Sequence, residues 1–175
     1  MLISGRQAVE VLAGAGVTRR QARAALAARL AGEPVVTRGA RLYREEAVIE
    51  LASRPPLSES DVDHACPGPL FVARRLLDAG AGREEQLAAL APGWDLGVRG
   101  TNNLLQAFLY VQGSIPLVAT VCGFVVLGAQ IQRLRGEVGG RTYRMELGDA
   151  GEWFAAFRGR RLLCGPGRDF VFRGW

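Results

Sequence analysis

Residues 4–30 read SGRQAVEVLAGAGVTRRQARAALAARL, and this stretch decides the fold of the N-terminal third. Ser4-Gly5-Arg6-Gln7 has the form of a capping box. In such a box the Ser4 hydroxyl satisfies the orphan amide of Gln7, and the Gln7 side chain satisfies that of Ser4. Ala8, Val11 and Leu12 follow at helical spacing, and Gly14-Ala15-Gly16 stops the helix. Thr18-Arg19-Arg20-Gln21 repeats the box. The second helix has Ala22, Ala25, Leu26 and Leu30 on one side and ends before Gly32 and Pro34. Two helices joined by about three residues around a glycine have the spacing of a helix-turn-helix.

The next residues are extended. Val35-Val36-Thr37, then Arg38-Gly39-Ala40-Arg41, then Leu42-Tyr43 predict a hairpin with a basic tip. Arg44-Glu45-Glu46 starts a third helix whose apolar side is Ala47, Val48 and Leu51, and Arg54-Pro55-Pro56 ends the unit.

This order of helix, turn, Arg-rich helix, hairpin and acidic helix start resembles the winged helix-turn-helix of MerR-type and excisionase-like DNA-binding proteins. The positions that carry the resemblance are Ala8 near the start of the first helix, Gly16-Val17-Thr18-Arg19 at the turn, and Tyr43-Arg44-Glu45-Glu46 closing the wing. It covers about a third of the chain. No long heptad-bearing helix follows residue 56, which departs from MerR-type regulators. The resemblance implies duplex DNA as partner. It makes Thr18, Arg19, Arg20, Gln21 and Arg23 the recognition element and Arg38 and Arg41 the wing contacts.

Charge agrees with a polyanionic partner. The 175 residues carry a formal charge of +5, and all 22 basic residues are Arg. That preference follows from Ala/Gly/Arg-rich composition and by itself does not argue for phosphate recognition. The distribution says more. Residues 1–56 hold nine Arg against five acids, residues 57–94 three against six, and residues 95–175 ten against six. A basic head and a basic tail flank an acidic middle. Arg19, Arg20 and Arg23 lie within the first turn and a half of the second helix, where cations oppose the helix dipole. An arginine fork there matches guanine O6 and N7. The plain alternative is a solvated face. Arg38 and Arg41 read as phosphate contacts that position without specifying sequence.

Three units are expected: a winged helix-turn-helix over 1–56, an acidic Pro/Gly-broken connector over 57–93, and an α+β domain over 94–175. In the connector, short helices are predicted near Leu70–Asp78 and Arg83–Leu90. In the last unit Asn102–Val111 reads as helix and Pro116–Leu127 as buried strand. Gln130–Gly136 and Arg141–Leu147 read as strands joined through Val138-Gly139-Gly140. Asp149 and Glu152 read as the cap of a helix burying Trp153, Phe154 and Phe157. Arg161–Cys164 and Asp169–Arg173 read as a hairpin around Gly165-Pro166-Gly167. This unit supplies self-association, as a homodimer through 94–175, or binds a ligand or partner. The fold class expected for the whole chain is α+β.

Other chemistries have little to stand on. Cys66, Cys122 and Cys164 are widely spaced with no CxxC pair, which argues for a reduced cytoplasmic chain without disulfides or zinc; the expected DNA binding makes it nucleoid-associated. Asp61, Asp63, His64 and Cys66 match no metal-site spacing and read as an acidic linker. One His and no Lys leave no base for a triad, so no enzyme and no cofactor are expected. Arg158-Gly159-Arg160-Arg161 is a second basic cluster, read as a solvated turn or a DNA-flank contact. Gly165-Pro166-Gly167-Arg168 is turn chemistry and not a phosphate loop. Thr101–Gln132 lacks charge, but its Gly, Pro and β-branched residues argue for buried strand and against a membrane span. The function expected is sequence-selective DNA binding in transcription regulation. An excisionase-like architectural or protein-interaction factor without promoter regulation is the second reading.

Overall fold

The computed structural model describes residues 1–136, 142–164 and 169–173. Three helices and a small sheet make up the N-terminal part. Strand β1 (Leu2–Ser4) leads into α1 (Gly5–Gly14), then come α2 (Arg19–Ala27), β2 (Val35–Thr37), β3 (Ala40–Arg44) and α3 (Glu45–Ser53). Both expected capping boxes form. Gln7 N donates to Ser4 Oγ at 3.3 Å and Ser4 N to Gln7 Oε1 at 2.9 Å. Gln21 N donates to Thr18 Oγ1 at 3.2 Å and Thr18 N to Gln21 Oε1 at 3.1 Å. Strand β3 is central, antiparallel to β1 on one side and to β2 on the other. The core of this part holds Ala8, Leu12, Ala22, Leu26, Tyr43, Val48 and Leu51. Val9, not Val11, is the third buried position of α1, and Leu30 lies beyond the end of α2.

The rest of the chain builds a six-stranded mixed sheet. Its order is β5 (Trp94–Asp95), β8 (Thr142–Asp149), β7 (Phe124–Gly136), β6 (Ile115–Val121), β4 (Leu70–Ala73) and β9 (Phe170–Arg173). Among its described strands, only β4 and β6 pair in parallel. Helices α4 (Glu59–Ala65), α5 (Arg83–Leu90) and α6 (Gly97–Val111) and a 3-10 turn over Glu152–Phe157 accompany it. The chain is therefore α+β, and no described helix is long and apolar enough to cross a membrane.

Several sequence expectations are corrected here. Leu70–Asp78 does not form a helix. All four residues of Leu70–Ala73 are buried, and they lie between β6 and β9 as a strand. A strand covered on both faces reads as a continuous apolar run, which periodicity cannot separate from a short buried helix. Pro116–Leu127 is two strands, broken at Cys122-Gly123, where both residues have positive φ (53° and 85°). That is the turn a two-residue hairpin requires, and Cys is an uncommon residue for it. Asp149 does not cap a helix. It pairs with Arg83 at 2.9 Å, and the following 3-10 turn has no side-chain cap. Arg161–Cys164 is not the partner of β9, which pairs with β4. The linker residues Asp61, Asp63 and His64 belong to α4, where Asp61 closes a third capping box with Ser58. The bond from Ser58 N holds the Asp61 carboxyl below its ordinary range. Arg141, the Val138-Gly139-Gly140 joint and the Gly165-Pro166-Gly167 turn lie outside the described residues.

The two parts share packing. Phe124, from the start of β7, is fully buried within the core of the N-terminal part. Arg161 lies over the Phe124 ring at 5.3 Å and donates from Nη1 to Ala15 O at 3.0 Å. Leu57 N donates to Arg161 O, and Arg161 N to Pro55 O. On the other flank Arg29, at φ 58°, pairs with Asp78 through both of its carboxylate oxygens and with Glu33 at 2.6 Å. The Arg29 guanidinium holds the Asp78 carboxyl below its usual range.

Candidate nucleic-acid interface

A cleft of about 650 Å³ opens between α1, α2 and β3. Val9, Leu26, Ala27, Ala40 and Tyr43 line it together with the exposed Arg6, Arg19, Arg23 and Arg41, and its wall is mostly apolar. The positioning follows from sequence. The capping box sets the start of α2, so Arg19 and Arg23 fall at i and i+4 on one face. Arg41 stands on β3 opposite Val36, two residues before the buried Tyr43. Arg6 sits in the first turn of α1, one turn before Glu10. Glu10 is the lone acid on the cleft, and it pairs with Arg19 at 3.1 Å. Both partners are exposed, and an exposed pair of this kind contributes little stability.

The sequence-predicted residues do not all converge. Arg19, Arg23 and Arg41 share the cleft, together with Arg6, which sequence reasoning passed over. Its signal was present, since Arg6 and Glu10 lie one helical turn apart on the face that also meets Arg19. Arg20 is exposed but lies elsewhere on α2. Its charge bears on the Cys122 thiol at the β6–β7 turn and partly offsets the burial that raises that group. Thr18 and Gln21 are engaged in the capping box, through Oγ1 and Oε1; the Gln21 amide nitrogen takes no part in it. Arg38 forms the hairpin turn with Gly39, at φ 45° and 79°, between the paired residues Thr37 and Ala40. Turns of this class favour Asn or Gly at both positions, so an arginine there costs on the order of 1 kcal/mol.

A second, larger cleft of about 830 Å³ lies in the C-terminal part, lined in part by Arg75, Trp94, Asp95, Asn102, Tyr143 and Asp169. Arg75 stacks over the buried Trp94 ring at 3.7 Å and donates to the carbonyls of Pro92 and Gly93. Burial lowers the Arg75 pKa, and the charge of Asp169 opposes that shift. Cys66 is also buried, which pushes its thiol up to about 11. Arg158 and Arg160 of the second basic cluster are taken up by the Phe154 ring, at 5.6 Å, and by Asp61, at 3.7 Å.

Compared with family models, with curated proteins and with solved structures, the chain matches none, so the functional argument rests on the geometry of the site.

Proposed function

We propose that residues 1–56 act as a winged helix-turn-helix that binds duplex DNA selectively, in a protein that regulates transcription. Helix α2 is the recognition element and the β2–β3 hairpin the wing. The observation that carries the reading is the cleft itself, where four arginines from α1, α2 and β3 face outward with one acid among them. Arg19 and Arg23 reach base edges from the start of α2, and Arg6 and Arg41 bracket them toward the backbone. The αL conformation of Arg38 supports the wing role, because a costly residue at a turn tip points to use of its side chain. Arg20 leaves the set of base contacts, since it is not among the residues that line the cleft.

Selection from random duplex DNA by the full-length protein tests selectivity. The expected outcome is enrichment of a short motif, with guanine at one or two strongly preferred positions facing Arg19 or Arg23. Binding without any enriched motif would move the protein to the architectural reading, in which duplex is bent or bridged without promoter choice.

A further inference from the structure

The cleft of about 830 Å³ in the C-terminal part holds opposite charges that do not pair with one another. Arg75, Asp95 and Asp169 all line it. Among the described residues, none of the three forms an ion pair. Arg75 is half-buried, with its guanidinium stacked on the ring of the buried Trp94. Two of its five N–H groups donate to the carbonyls of Pro92 and Gly93, and three remain. Both acceptors are neutral, so the charge itself has no counter-ion. A cation drawn out of water in this way is costly until an anion meets it.

The two carboxylates are anchored through other groups and stay exposed. Asp95 accepts from Gly97 N at 3.2 Å at the start of α6. Asp169 is held by its main chain, where its carbonyl accepts from Arg74 N at 2.6 Å. Its charge acts on Arg75 without pairing with it. Trp94, Tyr143 and Phe170 give the same cleft aromatic walls.

We propose that this cleft binds a basic α-amino acid, the class that carries one carboxylate and two cationic groups. The lining offers one cation and two anions, and this ligand has the complementary set. Its carboxylate meets Arg75 in a charge-assisted pair, its two cations meet Asp95 and Asp169, and its aliphatic stem lies against the aromatic walls. A dicarboxylate would be repelled by the two aspartates. A simple diamine would leave Arg75 without an anion, and a neutral apolar molecule would desolvate all three charges. The volume is in the range of small-molecule sites.

Isothermal titration calorimetry of the full-length protein, without DNA, tests the proposal with L-lysine and L-arginine in separate titrations. At least one is expected to bind with a Kd of about 1 mM or tighter. L-Leucine lacks the second cation and cadaverine lacks the carboxylate. Each is expected to bind at least about 10-fold more weakly than the better basic amino acid. Asp95→Asn and Asp169→Asn are each expected to weaken that amino acid by about 10-fold, with an unchanged circular dichroism spectrum because both carboxylates are exposed. No binding of either basic amino acid at about 10 mM would overturn the proposal. So would leucine or cadaverine binding as tightly, or either aspartate variant binding like the wild type. None of these outcomes bears on the arginine cleft, which is judged by DNA binding alone.

Discussion

Replacing Arg19, Arg23 and Arg41 together with alanine is expected to weaken duplex binding by at least about 100-fold at moderate salt while leaving the fold intact. Each arginine that reaches a base edge or a phosphate contributes on the order of 1 kcal/mol or more, and each factor of ten in affinity is about 1.4 kcal/mol. The three side chains converge on one cleft from two elements, α2 and β3, so their loss removes most of its charge. All three are exposed, and the one ion pair lost, Arg19 with Glu10, is a surface pair. Thermal unfolding should therefore move by no more than a few degrees. Anisotropy titrations of a labelled duplex, with circular dichroism on the same samples, measure both quantities. The matching change at Arg20 is expected to leave affinity nearly unaltered, since Arg20 lies away from the cleft. Strong loss at Arg20 with little at Arg23 would reverse the assignment of the contacting face.

The second large effect concerns stability. Phe124→Ala is expected to destabilise the protein by about 3–5 kcal/mol, the usual cost of removing a large buried aromatic ring. The ring is fully buried within the core of the N-terminal helices although it belongs to β7, and Arg161 covers it while bonding Ala15 O. Truncation leaves a cavity in that core and strips Arg161 of its apolar partner. A loss of this size is a large fraction of the total stability of an ordinary domain. Urea denaturation followed by circular dichroism measures it as a fall in midpoint. Hydrogen exchange at the α1 and α2 amides then locates it: protection there should drop together with that of the sheet. A Phe124→Ala protein whose α1 and α2 amides keep full protection would show that the N-terminal core stands without the ring.

The local parts of this architecture were legible because their signals are local. Ser4 with Gln7 and Thr18 with Gln21 set the helix starts within four residues, and Arg83–Leu90 forms the helix expected there. The parts that failed are decided by distant partners. Nothing within Leu70–Ala73 says that β6 and β9 will lie on either side of it, and a fully buried strand shows no alternation to betray it. The Cys122-Gly123 turn was hidden because Cys is seldom found at positive φ. Phe124 looked like one more apolar residue in a buried strand, and its place in another core is a tertiary fact. The candidate site divides in the same way. Spacing along α2 set Arg19 and Arg23 on one face, whereas the separation of Arg20 and the inclusion of Arg6 depend on how α1, β3 and the β6–β7 turn are packed around α2.

The central claim, that the arginine cleft binds duplex DNA through its phosphates, is tested most directly by the salt dependence of binding. Affinity of the full-length protein for one duplex is measured by anisotropy across a series of salt concentrations, beside the Arg19/Arg23/Arg41 alanine variant. Arg6, Arg38 and Arg41 are the phosphate-neutralising contacts, which predicts a slope of log affinity against log salt of about −3. The variant should lose roughly one unit of that slope, through Arg41, together with the affinity that Arg19 and Arg23 draw from base edges. A wild-type slope near zero, no binding at low salt, or a variant with the same slope as the wild type would contradict the account.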